Sequence, residues 1–157
     1  MKVSERCSID GGFMEITQMK AEHYDEVYAL WQITSKRALR NDDSREGITA
    51  FLKRNEGLSQ IAVMDGKIVG TVLAGHDGRR GFLYHVAVLP EYRRHGIAAS
   101  MVKRAINQLE NDGIKKTNIF VFKDNPLGQA FWPTIGWGKR EDLSVYQFEV
   151  KGERDER

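Results

Sequence analysis

One ten-residue stretch concentrates the residue types that can hold an anion: Pro90-Glu91-Tyr92-Arg93-Arg94-His95-Gly96-Ile97-Ala98-Ala99. It stands between the apolar run Phe82 to Leu89 and a helical stripe that begins at Ile97. At such a junction the first backbone N–H groups of the helix have no partner within it, and the helix dipole is positive there. Gly96 and Ala98 are small enough to let a ligand approach the backbone, and Arg93, Arg94 and His95 add positive charge. Together they describe a seat for a phosphate or pyrophosphate. The competing reading, of equal weight on residue types alone, is an ordinary strand-to-helix turn whose basic side chains are solvated. Just upstream, Tyr84 and His85 can move a proton, and an unperturbed His titrates near about pH 6.5. As neighbours on a strand they are expected on opposite faces, so that only one reaches a cleft.

Other chemistry is not written in the chain. There is no Walker loop, dinucleotide fingerprint or paired-His zinc motif, and the histidines at 23, 76, 85 and 95 lack metal-ligand spacing, so no metal site is expected. The single cysteine, Cys7, is not beside a plausible His or Asp partner, so no nucleophilic role is expected for it; being alone, it excludes an intrachain disulfide and suits a reducing compartment.

The elements that must position the anion seat are legible from their periods. Residues 1–12 are polar and read as a flexible extension outside the fold, residues 13–151 as one domain, and residues 152–157 as a charged tail. Phe13 to Thr17 is a short strand; Val27, Leu30, Trp31 and Thr34 mark a helix, and Arg37 to Ser44 a polar loop. Ile48, Phe51 and Leu52 mark a second helix that Gly57 can stop. Ile61 to Val63, the tight-turn dipeptide Asp65-Gly66, Lys67 to Ala74, the turn Asp77-Gly78, and Phe82 to Leu89 read as an antiparallel meander. The last of these strands is apolar enough to be buried on both faces. Ile97, Met101, Val102, Ala105, Ile106 and Leu109 form one helical stripe that Asn111-Asp112-Gly113 ends. Ile119 to Phe122 then reads as a buried strand reached by a parallel crossover. Asn125-Pro126 is an N-cap followed by Pro at the first helical position, and Tyr146, Phe148 and Val150 alternate as a final half-buried strand.

Composition sets outer bounds. At 157 residues, 41% hydrophobic and 29% charged, the chain is the size of one globular domain. Its 24 Lys and Arg against 22 Asp and Glu leave a formal charge of +2, which excludes a protein built on one large basic surface. Arg93 to His95 is the only tight basic cluster, so no nucleic-acid partner is expected. No run approaches the roughly 18 apolar residues of a membrane span, and the N-terminus lacks an apolar signal core. A cytoplasmic protein with no membrane partner is the expectation.

The motif Arg93-x-x-Gly96-x-Ala98 resembles the Arg/Gln-x-x-Gly-x-Gly/Ala signature of the GNAT superfamily, the Gcn5-related acyl-CoA-dependent N-acetyltransferases. Val86 to Arg93 resembles the family's fourth strand and its exit. Asn125-Pro-Leu-Gly-Gln-Ala130-Phe131-Trp132-Pro-Thr-Ile-Gly136-Trp137 resembles its later Asn…Ala-x-x-Phe-Tyr…Gly-Phe motif. The element order agrees from Met14 to Val150, and the hairpin Gly75 to Gly81 is similar to that of a YpeA-like bacterial branch.

The resemblance implies an α/β (α+β) GNAT fold: a mixed, mostly antiparallel sheet of six to seven strands with about four helices, splayed between the fourth and fifth strands. It implies acetyl-CoA as acyl-donor cosubstrate. Val86 and Val88 would hold the pantetheine through their backbone. The amides of Arg94, His95, Gly96, Ile97, Ala98 and Ala99, with the charges of Arg93 and Arg94, would hold the pyrophosphate. Asn125 would face the pantetheine arm or serve only as a helix cap. The reaction would be direct attack of a primary amine on the thioester, with His85, Tyr84 or a water chain taking the proton. The N–H of Val86 would steady the oxygen that gains charge. Trp132 stands where the family often has a proton-donating Tyr, and an indole cannot supply that proton; packing is its expected role, leaving Tyr84, Tyr92 or water to protonate the thiolate. Trp31, Arg37, Arg40 and Asp77 are candidates to line the acceptor cleft, against core for Trp31 and turn formation for Asp77. Asp42-Asp43 is expected to be a solvated loop. The expected acceptor is a small-molecule amine. The alternatives are a protein N-terminus or lysine, or a non-catalytic acyl-CoA binder. Family analogy also implies a homodimer, with Tyr146 to Val150 as the pairing edge.

Overall fold

A computed structural model of the chain describes residues 5–9 and 12–151. The chain divides into two units, one reaching Ile119 and one starting at Phe120.

The first unit is built on a six-stranded sheet in the order β1-β2-β3-β4-β5-β6. Its strands are β1 (Glu5–Ile9), β2 (Gly12–Gln18), β3 (Gln60–Met64), β4 (Lys67–His76), β5 (Gly81–Val88) and β6 (Thr117–Ile119). The helices are α1 (Tyr24–Thr34), α2 (Arg45–Arg54) and α3 (Ile97–Asn111). All strand pairs are antiparallel except β5 with β6, which the α3 crossover makes parallel. β1 corrects the expectation that the first element begins near Phe13. Glu5–Ile9 pairs with Gly12–Ile16, since a ladder needs only backbone donors and acceptors and not an apolar sequence.

Local chemistry explains the rest of the meander. Asp65 and Gly66 both have positive φ, at 50° and 80°, and close the two-residue hairpin between Met64 and Lys67. Ser44 caps α2, its hydroxyl accepting from Gly47 N at 3.1 Å. The stripe of α3 buries Ile97, Met101, Val102, Ala105 and Leu109, each adding about 1.5–3 kcal/mol if large. Gly70 of β4 lets α3 lie close, because a Cβ there would meet Met101 Cε at 2.8 Å. One residue further, Thr71 bonds Trp31 of α1, so α1 lies across the sheet from α3.

The second unit contains α4 (Pro126–Thr134), capped by Asn125 Oδ1, which accepts from Gly128 N at 3.0 Å. Pro133 lies inside the last turn of α4, which ends one residue later at Thr134. Trp132 is buried, its ring 4.5 Å from that of Trp137 and 5.1 Å from that of Phe131.

Two expected strands are corrected. The ladder at Ile119 to Phe122 ends at Ile119, and Phe120 and Phe122 are exposed instead of buried. Tyr146 to Val150 forms no strand in the described residues, because alternation makes a segment fit for a ladder without providing a neighbouring edge.

Candidate active site

The pairing of β5 changes halfway along it. Gly81, Phe82 and Leu83 pair with β6, whereas Tyr84 to Val88 pair with β4 alone. This is the splay expected between the fourth and fifth strands, counted here as β5 and β6 because β1 precedes them. An edge of the sheet is thereby left to a ligand that can pair with backbone.

Within the separated half, β5 carries a bulge. Leu73 pairs with Tyr84 and Thr71 with Ala87, so His85 and Val86 together oppose the single residue Val72. His85 takes the left-handed conformation, with φ at 47°. The bulge overturns the expectation that Tyr84 and His85 point to opposite faces. Tyr84 packs edge-on against Phe51 of α2, ring centroids 6.0 Å apart. His85 stacks on Trp31 of α1 at 4.4 Å. Both therefore lie on the side of α1 and α2.

A polar network fixes this corner. His85 Nε2 is 2.9 Å from Asp43 Oδ1, and the two side chains are 7% and 10% exposed. Asp43 Oδ2 accepts from Arg40 N at 2.9 Å, and the Tyr24 hydroxyl donates to the Asp43 carbonyl at 2.6 Å. Trp31 Nε1 donates to Thr71 Oγ1 at 2.9 Å, and Thr71 Oγ1 donates to the His85 carbonyl at 2.8 Å. Asp43 is thus not a solvated loop residue; it closes a 3-10 turn at Asn41–Asp43 and meets a histidine 42 positions away. Burial, then the charge of Asp42, pushes the Tyr84 phenol above its ordinary value, so it stays protonated.

β5 leads straight to the stretch expected to seat an anion. A 3-10 turn at Pro90–Tyr92 precedes Arg93, and Arg94 and Gly96 have φ of 69° and 74° before α3 starts at Ile97. These left-handed residues turn the backbone so that successive N–H groups lead into the helix N-terminus, a concavity suited to anions. A Cβ built at Gly96 meets nothing within 4 Å, so added bulk there would project into open space beside the start of α3. Arg93, Arg94 and His95 are exposed beside it. Arg93 Nε donates to the Val88 carbonyl at 3.1 Å, which ties the seat to the end of β5. The first unit therefore brings together Tyr84, His85, Val86, Val88 and Arg93 to Ala99. Asn125 belongs to the second unit, where it caps α4.

The proposed acceptor-side residues divide. Trp31 is core, and Asp77 is a turn former accepting from Arg79 N and Arg80 N, both at 2.8 Å. Arg40 Nη1 donates to the carbonyls of Arg37 and Leu39. Among the described residues no group of three or more His, Cys, Asp or Glu could hold a metal ion.

A splayed sheet whose open strand runs into a helix N-terminus is an arrangement that suits an extended, anionic ligand. The profile of the acetyltransferase (GNAT) family matches residues 16–137, and the chain belongs to that family. Its fold is similar to that of the aminoglycoside N-acetyltransferase AAC(6')-Iy in complex with CoA, with 20% identity, 92% of this chain and 100% of that chain covered, and a TM-score of 0.69. The PaiA N-acetyltransferase from Thermoplasma acidophilum in complex with coenzyme A has 19% identity, 83% and 92% coverage and a TM-score of 0.71. The ribosomal-protein-S18-alanine N-acetyltransferase from Escherichia coli has 19% identity, 78% and 76% coverage and a TM-score of 0.65. The protein is an N-acetyltransferase, and acetyl-CoA is its acyl-donor cosubstrate.

Proposed function

We propose that the protein transfers an acetyl group to the primary amine of a small molecule by direct attack. The observation that carries this reading is the continuity of the unpaired β5 half, the bulge and the anion seat, all within the first unit. Bound there, acetyl-CoA supplies an activated thioester.

The backbone of Val86 and Val88 offers strand-like pairing to the pantetheine arm. The amides of Arg94, His95, Gly96, Ile97, Ala98 and Ala99, with the side chains of Arg93 and Arg94, offer donors and positive charge to the pyrophosphate. The Val86 N–H lies at the bulge, where it is suited to steady the oxygen that gains charge. His85, paired with Asp43, takes the proton of the attacking amine. Tyr84, whose phenol keeps its proton, or water gives a proton to the leaving thiolate. The burial that raises Tyr84 makes it a weaker donor than an unburied phenol and leaves water as the second source. Asn125 acts as a helix cap, with any pantetheine contact secondary to it. The aromatic surface of Tyr84, Phe82 and Phe51 favours a compact acceptor with an apolar face.

The same reading takes the protein to be cytoplasmic; no described helix is long and apolar enough to cross a membrane. It also takes the protein to be a homodimer. Tyr146, Phe148 and Val150 are 94%, 87% and 75% exposed, an apolar surface that pairing with a second copy would cover. A monomer by light scattering would remove that part.

The test is a thermal-shift series with acetyl-CoA, CoA, ATP and NAD, followed by free-thiol release with small amines and with peptides bearing a free N-terminus or lysine. Ligand at about a hundred times its Kd adds roughly 2.7 kcal/mol. At this size that is roughly 5–10 °C. The CoA species alone should shift wild type, and Gly96→Glu should lose the shift. Turnover with peptides and none with small amines would replace the acceptor assignment, and CoA binding without turnover would leave a non-catalytic binder.

A further inference from the structure

We propose that Asp43 is a positioning residue for His85, fixing the proton on Nε2 so that Nδ1 carries the lone pair that accepts the amine's proton. The inference rests on the acetyl-transfer reading and deepens it.

The geometry points one way. A carboxylate accepts hydrogen bonds and cannot donate them, so the 2.9 Å contact with Asp43 Oδ1 selects the Nε2–H form of a neutral His85. The carboxylate cannot swing away, because its second oxygen holds Arg40 N. Nor can the ring, which stacks on Trp31 while its own carbonyl is held by Thr71. The ionisable groups around the pair are Tyr84 next along β5, Asp42 beside Asp43, and Tyr24 of α1, whose ring lies 4.9 Å under the Arg45 guanidinium. The Arg40 guanidinium is turned to the Arg37 and Leu39 carbonyls. A positive φ at a residue that is not Gly is strained, and here it serves to bring the ring to Asp43. In transfer, the amine nitrogen bonds to the acetyl carbon, the carbon–sulfur bond breaks, the amine's proton goes to His85 Nδ1, and the thiolate takes a proton from Tyr84 or water.

Asp43→Asn is the informative change. If the amide oxygen keeps Arg40 N, the amide NH2 faces His85 Nε2 and requires it to accept, which moves the proton to Nδ1. The expected result is a kcat lower by about 10²-fold or more, within the range of a lost general base. The KM for acetyl-CoA and the CoA-induced thermal shift should not change. Imidazole ¹⁵N shifts should report Nε2–H in the wild type and Nδ1–H in the variant, a signature that a merely structural role would not move. His85→Gln should lose as much, and the double variant no more than either single one. An unchanged kcat in Asp43→Asn overturns the proposal, as does a fall in kcat without the tautomer change. If the variant does not fold, the wild-type spectrum decides, and an Nδ1–H imidazole at His85 overturns it. Failure of wild type to bind CoA or transfer acetyl is a separate outcome: it removes the functional reading and this role together, whatever the tautomer.

Discussion

Thr71→Val tests the network under the bulge without reference to substrate. Thr71 is fully buried, and its hydroxyl accepts from Trp31 Nε1 at 2.9 Å while donating to the His85 carbonyl at 2.8 Å. Valine fills nearly the same volume and removes both bonds. The Trp31 N–H and the His85 carbonyl are then left without that partner, at about 1–3 kcal/mol each. The higher strand preference of Val offsets less than about 1 kcal/mol of this. The net loss centres on about 3 kcal/mol, or roughly 6–12 °C in Tm at this chain length. Urea unfolding followed by far-ultraviolet circular dichroism measures it as a lowered midpoint at constant slope. Thr71→Ser is the control, since it keeps the hydroxyl and loses one methyl, about 1 kcal/mol. Valine must therefore be the worse of the two. A valine variant within about 0.5 kcal/mol of wild type, below the unmade-bond range, would refute the reasoning. So would a serine variant less stable than the valine one.

Gly47→Ala should destabilise, although Ala normally gains about 1 kcal/mol over Gly in a helix. Its Cβ would stand 2.2 Å from the Asp42 carbonyl oxygen, so α2 must move at its start; a raised melting temperature would contradict this contact. Stability should fall as pH rises above 10, the ordinary value for Tyr, because burial first of all raises both Tyr24 and Tyr84. The unfolded chain ionises at the lower pH, so the stabilisation is intact below 10 and is lost as pH climbs through the raised values. Tyr84→Phe should flatten that decline, and an unchanged alkaline limb would show that Tyr84 titrates normally. Asp142, hydrogen-bonded by Arg140 Nε and Nη2, should titrate at about 2. Arg140→Gln should return it toward the usual carboxylate range in a ¹³C titration.

The sequence by itself determined the three helices of the first unit and the central meander, and it marked Arg93 to Ala99 as a candidate seat. Apolar positions at three- and four-residue spacing give α1 and α3, whose stripes are buried except at Thr34 and Ile106, which are half-buried. Asp65-Gly66, Ser44 and Asn125-Pro126 act locally, through φ and short hydrogen bonds, and so could be placed from neighbouring residues alone. The Arg93 to Ala99 stretch carried its chemistry in consecutive residues at one junction.

Tertiary structure decided the corner where His85 meets Asp43. Alternation sent Tyr84 and His85 to opposite faces, and nothing in the residue types announces a bulge, since His85 takes a positive φ without being Gly. Asp43 looked like part of a solvated loop because its partner is 42 residues away, and a pair brought together by chain folding leaves no spacing to read. Tyr146 to Val150 shows the reverse case. Its alternation is a true strand signal, but a strand is completed by a neighbouring edge, and an edge is a property of the assembled sheet and not of the segment.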